Sequence, residues 1–103
     1  MSVIEIKEDE FEKEVLKSEK IVLVDFYANW CGPCKMLKPV LSSVAESHAD
    51  IKVVSINVDE AEELSMSYGI SSIPCLIKFK DGIEVDRSIG FKSKEEIEKL
   101  IED

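Results

Sequence analysis

Ile21-Val22-Leu23-Val24-Asp25-Phe26-Tyr27-Ala28 runs, two residues later, into Cys31-Gly32-Pro33-Cys34. The first eight residues form a near-continuous apolar run, the pattern of a central strand covered on both faces. Leu37, Val40, Leu41 and Val44 recur at helical spacing after it, which predicts a helix over 32–48. Pro39 lies inside that helix, removes a backbone donor and predicts a kink. The two cysteines therefore stand where a strand gives way to a helix. Helix N-termini carry positive partial charge and unpaired amides, which favour a thiolate, so the pair points to redox chemistry.

The same patterns extend outward. Val3 to Ile6 alternates apolar and charged residues, as a half-buried strand does. Phe11, Val15 and Leu16 mark one face of a helix over 8–18, and Ile51 to Val58 reads as a second apolar strand. Asp59 with Glu62 reads as an N-cap for a short helix at about 60–68, closed by Gly69. Cys75 to Lys80 and Ile83 to Ser88 read as strands joined by an Asp81-Gly82 hairpin turn. Ser93 with Glu96 forms a capping box that opens a last helix bearing Ile97, Leu100 and Ile101. The order is βαβαβαββα. Its central β-α-β requires parallel strands with a right-handed crossover, and the terminal hairpin adds antiparallel ones. The expectation is an α/β fold with a mixed five-stranded central sheet flanked by four helices, in one domain over 1–103.

Bulk properties narrow the function. The 103 residues carry 13 basic and 22 acidic side chains, a net charge of −9, which speaks against nucleic acid or anionic membrane as a partner. No apolar run approaches the roughly 20 residues that span a bilayer, and the acidic first ten residues do not read as a secretory signal. The expectation is a soluble, cytoplasmic protein acting as a monomer. Three cysteines are an odd count, which fits a reactive pair and a lone thiol better than a stapled secreted scaffold. A zinc site would need two more ligands. Only Cys75 and His48 remain, at spacings untypical for zinc, so no metal and no cofactor is expected. His48, near a helix C-terminus, reads as a surface residue favoured by the helix dipole.

Cys31, at the helix start, is the expected nucleophile. Cys34, one turn further in and buried, is the expected resolving thiol. Pro33 suits a first helical turn. Asp25 puts a charge inside a strand that should be buried, which is costly unless the group is paired or protonated. It reads as the proton acceptor for Cys34, acting through water. Pro74, after Ile73, opens a strand, and so occupies an edge, a turn or a cis peptide.

Taken together, these residues resemble the thioredoxin family over essentially the whole chain. The resemblance rests on Val24-Asp25-Phe26-Tyr27-Ala28, Trp30-Cys31-Gly32-Pro33-Cys34-Lys35, Pro39, Tyr68-Gly69-Ile70, Ile73-Pro74, Asp81-Gly82 and Gly90. It implies the thioredoxin fold and a protein disulfide reductase, a thiol–disulfide oxidoreductase re-reduced by a thioredoxin reductase. It also implies a cis Ile73–Pro74 peptide beside the disulfide. An apolar surface of Trp30, Gly32, Pro33, Ile73, Pro74 and Gly90 would receive disulfide-containing protein substrates, the Ile73 backbone pairing with the substrate strand. An oxidase is a weaker reading, because Gly32-Pro33 resembles the reducing members. A redox-inert binding subunit is weaker still, because both cysteines and Asp25 are present.

Three positions depart from the family pattern. Ser55 stands where many members carry a lysine near the buried aspartate, which predicts a carboxyl at Asp25 that is harder to ionise. Cys75 replaces the common threonine after Ile-Pro; as a small buried residue it is inert, and as a third thiol it would be redox active. Phe91 follows Gly90 where a small residue is common, either enlarging the docking surface or packing into the fold.

Overall fold

The computed structural model describes residues 2–102. Its order is β1 (Ile4–Glu5), β2 (Ile21–Tyr27), α1 (Gly32–Ser47), β3 (Ile51–Asn57), α2 (Glu62–Ser67), β4 (Cys75–Lys80), β5 (Ile83–Ile89) and α3 (Lys94–Glu102). The strands form one mixed sheet in the order β1-β3-β2-β4-β5. β1 and β2 run parallel to β3, while β4 runs antiparallel to both β2 and β5. The apolar run Ile21–Tyr27 is thus the centre of the sheet, as its lack of alternation requires.

Successive residues of β2 serve opposite layers. Val22, Val24 and Phe26 pack with Phe11, Val15, Ile56, Ile77 and Phe79 on one face. Leu23 packs with Leu37, Leu41 and Val44 of α1 and Ile97 of α3 on the other. Asp25 and Tyr27 share the parity of Leu23 and so face α1. α1 runs unbroken through Pro39, which lies on its exposed side.

Two local expectations are corrected. The first of the four expected flanking helices, over 8–18, is not an α-helix. A short turn at Glu8–Glu10 is followed by a widened turn at Glu12–Leu16, in which the Lys17 amide donates to Glu12 O five residues back at 2.9 Å. Phe11 and Val15 still reach the core, Phe11 stacking edge-on against Phe79 with ring centroids 5.7 Å apart. The helix expected at 60–68 starts later, at Glu62, and Asp59 is not its cap. The Asn57 side chain instead accepts from the Asp59 amide at 2.9 Å and nucleates a separate turn over Val58–Glu60. The capping box of α3 forms as read: the Glu96 amide donates to Ser93 Oγ, and the Ser93 amide to Glu96 Oε1.

The hairpin turn also forms as read, with Asp81 at φ 53° and Gly82 at φ 78°, the two positive values of a type I′ turn. A Cβ at Gly82 would meet the Leu16 carbonyl oxygen at 2.7 Å. Gly82→Ala therefore combines a disfavoured backbone with a clash against a backbone atom that cannot rotate away. The expected loss is about 2 kcal/mol in urea unfolding. Gly32→Ala, whose added Cβ meets nothing within 4 Å, is the near-neutral comparison.

Candidate active site

Cys31 is the N-cap of α1, with an extended backbone. Its side chain turns back over the first turn and accepts a hydrogen bond from the Cys34 amide at 3.2 Å. A sulfur so placed receives one of the free amides of the helix start and lies at the positive end of the helix dipole, an environment that stabilises a thiolate. Pro33, in the first turn, needs no amide partner. Cys31 and Cys34 are joined as a disulfide with Cα atoms 5.2 Å apart. Both are covered, packed with Tyr27 and Ala28 at the end of β2.

The loop before β4 comes up beside them. Ile73–Pro74 is a cis peptide, and Ile73 O lies 3.9 Å from Cys31 Sγ. The Gly90 amide donates to Pro74 O at 2.8 Å, with Gly90 at φ 91°. Trp30 is 71% exposed, yet its ring is held, because Nε1 donates to Asp59 Oδ2 at 2.9 Å. This is where the Asp59 carboxylate, free of any capping role, is used. Gly32 and Pro33 are exposed, Ile73 and Gly90 half-buried, and Pro74 buried. Phe91 is exposed rather than packed into the fold.

Asp25 is 1% exposed, and its Oδ1 has no hydrogen-bond partner. Its carboxyl is pushed up to about 7, first by burial and then by the nearby Glu5 carboxylate, with Lys38 pulling the other way. The surroundings differ from the expectation built on Ser55 in one respect. A cation is present after all, on α1 rather than β3, where Lys38 Nζ also lies 5.2 Å from the centre of the Tyr27 ring. Ser55 is the cross-strand partner of Asp25. A cavity of about 190 Å³ opens beside the pair, lined by Glu5, Asp25, Lys38, Ser42 and Ser55 above Leu41. Cys34 and Lys38 are four residues apart on α1, so Cys34 stands on the flank that faces Asp25.

Sequence reasoning missed Glu5, Lys38, Tyr27 and Asp59. Their relevant neighbours are distant in the chain, and nothing in local periodicity reports them. Cys75, one residue from Pro74, turns to the opposite face of the sheet and packs with Phe26 and Ile77. Burial pushes its thiol up, which supports the inert reading. His48 Nε2 lies 2.8 Å from Glu98 Oε2 and ties the end of α1 to α3. Among the described residues, no His, Cys, Asp and Glu group is placed to hold a metal ion, and no helix is long and apolar enough to cross a membrane.

The family model described as Thioredoxin matches residues 2–103. The thioredoxin of Bacillus subtilis (strain 168) is 44% identical over 102 residues, covering 98% of this chain and 96% of its own. That of Mycoplasmoides gallisepticum is 48% identical over 88 residues, covering 85% and 88%. That of Porphyra purpurea is 44% identical over 102 residues, covering 98% and 95%.

Proposed function

The chain belongs to the thioredoxin family, and from that premise we propose how its residues carry out the reduction of protein disulfides. It is a thiol–disulfide oxidoreductase, and the observation that carries the reading is the Cys31–Cys34 disulfide at the start of α1. In the dithiol form Cys31 is the nucleophile. Its thiolate attacks one sulfur of a substrate disulfide, the substrate S–S bond breaks, and the first substrate thiolate leaves and takes a proton. Cys34 then gives its proton to Asp25 and attacks Cys31 Sγ. The bond between Cys31 and the substrate breaks, the second substrate thiolate leaves and is protonated, and the Cys31–Cys34 disulfide remains. Two electrons have passed from the cysteine pair to the substrate; the Cys31 proton left to solvent when the thiolate formed, the Cys34 proton leaves through Asp25, and the two substrate thiolates take their protons from solvent.

Trp30, Gly32, Pro33, Ile73, Pro74 and Gly90 form the surface that receives the substrate. The exposed tryptophan and the backbone of Ile73 supply apolar contact and strand pairing to an extended segment. Because that contact is largely to backbone, it accepts many protein disulfides. A thioredoxin reductase restores the dithiol by the reverse exchange, and the cytoplasm is the compartment whose reducing poise suits the cycle. The test is reduction of insulin by dithiothreitol, followed as precipitation of the freed B chain. Catalytic amounts of the wild-type protein are expected to shorten the lag, and an unchanged lag overturns the proposal.

A further inference from the structure

Glu5, Ser55 and Asp25 form one row across three strands. Glu5 of β1 is the parallel partner of Ser55 in β3, which is in turn the parallel partner of Asp25 in β2. Paired residues of a sheet point to the same face, here the one covered by α1. Two strand spacings separate Glu5 from Asp25, roughly 10 Å between backbones, and the cavity fills the interval between the side chains.

The Glu5 carboxylate is held at the cavity by hydroxyls from two different strands. Tyr27 OH donates to Oε2 at 2.6 Å, and Ser55 Oγ donates to Oε1 at 3.1 Å. Glu5 lies at the exposed end of the row and Asp25 at the closed end. We propose that Glu5 is a positioning residue of the redox centre: its carboxylate, fixed across the cavity, sets the pH range over which Asp25 takes the Cys34 proton. The inference rests on the reading of Asp25 given above.

The reasoning is electrostatic. Asp25 faces Lys38 and the Cys34 thiol from α1, Tyr27 from its own strand and Glu5 from β1. β3 offers the neutral Ser55 and β4 the neutral Leu76; Lys78 of β4 is buried on the same face but pairs opposite Leu23, and Cys75 lies on the reverse face. Lys38 and Glu5 thus act on Asp25 with opposite signs. Burial is the larger cause of its raised pKa, Glu5 adds to it and Lys38 subtracts. Without Glu5, no negative charge would oppose Lys38 at Asp25, and Asp25 would ionise at lower pH. It would then be a ready but weaker base, and the resolving step would reach its full rate at lower pH.

The experiment follows Asp25 directly, by carbon NMR of its carboxyl in the reduced protein, alongside the pH dependence of mixed-disulfide resolution in stopped flow. Glu5→Gln is expected to lower both midpoints together by about 0.5–1 pH unit, with the KM for insulin unchanged. Glu5→Asp, which keeps the charge, is expected to hold both near wild type. Unchanged midpoints in Glu5→Gln overturn the proposal while leaving the role of Asp25 intact. Asp25→Asn separates the two: if its resolution profile matches wild type, Asp25 is not the base, and the reading of both residues falls.

Discussion

Cys31→Ser is expected to remove insulin reduction down to the uncatalysed background, a loss of about a thousandfold or more. Cys34→Ser is expected to fail differently. It retains the attacking sulfur and loses the resolving one, so it performs the first exchange and stops, joined to its substrate through Cys31. Intact mass or a non-reducing gel reads the adduct, and dithiothreitol releases it. The asymmetry follows from placement. Cys31 occupies the N-cap and accepts the Cys34 amide at 3.2 Å, so negative charge on its sulfur is stabilised by the helix start. Cys34 lies within the first turn, is fully covered, and has no such donor in view. A Cys31→Ser protein that captured substrate through Cys34 would reverse the assignment.

The disulfide closes only a short loop, so its loop-closure contribution is about 2 kcal/mol, well below that of a long loop. The loops before α1 and before β4 are anchored to the sheet and its two apolar layers, and the reduced protein is expected to keep them in register. This is what a catalyst that cycles between the two states needs, and it makes both serine variants readable as changes in chemistry rather than in folding.

What was legible in the chain was what neighbours within about ten residues decide. The apolar run of β2, the spacing of Leu37, Leu41 and Val44, the Asp81-Gly82 turn and the Ser93–Glu96 box are all local signals, and each element formed where they placed it. The failures came where two local signals competed or where the decisive partner was remote. Asp59 carries a capping side chain, but Asn57 capped a turn first and Trp30 took the carboxylate. The segment over 8–18 has helical periodicity, yet its hydrogen bonding adapted to the packing of Phe11 and Val15 on the sheet. Asp25 was legible as a misfit in its own strand. Glu5 was not, because an exposed glutamate on a short strand is ordinary until strand register sets it in a row with Ser55 and Asp25, fifty and twenty residues away. Register between strands is a tertiary fact, and a single chain read in order does not display it.

Asp25→Asn is expected to make the protein more stable above neutral pH and slower as a catalyst. In the folded protein the carboxyl is pushed up to about 7 from the ordinary aspartate value of 3.8. The folded state therefore holds a proton that the unfolded state has already released between those two values. Stability falls wherever the folded state binds the extra proton as pH rises. The contribution of Asp25 is fully present below about pH 4, declines through the interval and is lost above about pH 7. Taken at 1.36 kcal/mol per pH unit, the interval is worth about 4 kcal/mol, with water entering the cavity reducing it. Asparagine cannot ionise, so it escapes the penalty, and the polar cavity at Ser42 and Ser55 can receive its amide. Urea unfolding of both proteins from pH 4 to pH 9 reads the difference directly. The curves should nearly coincide at pH 4 and diverge by about 2–4 kcal/mol in favour of the variant by pH 8. Comparing the two removes the opposing contribution of Glu84 and Glu96, whose lowered carboxyl pKa values favour the folded state as pH rises in both. A constant gap across the range would mean that Asp25 does not hold its proton in the fold. On the role proposed for Asp25, the same substitution removes the base for Cys34, so stability gained should be matched by slower resolution of the mixed disulfide. A buried carboxyl with an unpartnered oxygen in the central strand lowers stability above neutral pH, and a slower resolving step in Asp25→Asn would show that the proposed proton transfer from Cys34 is what that loss supports.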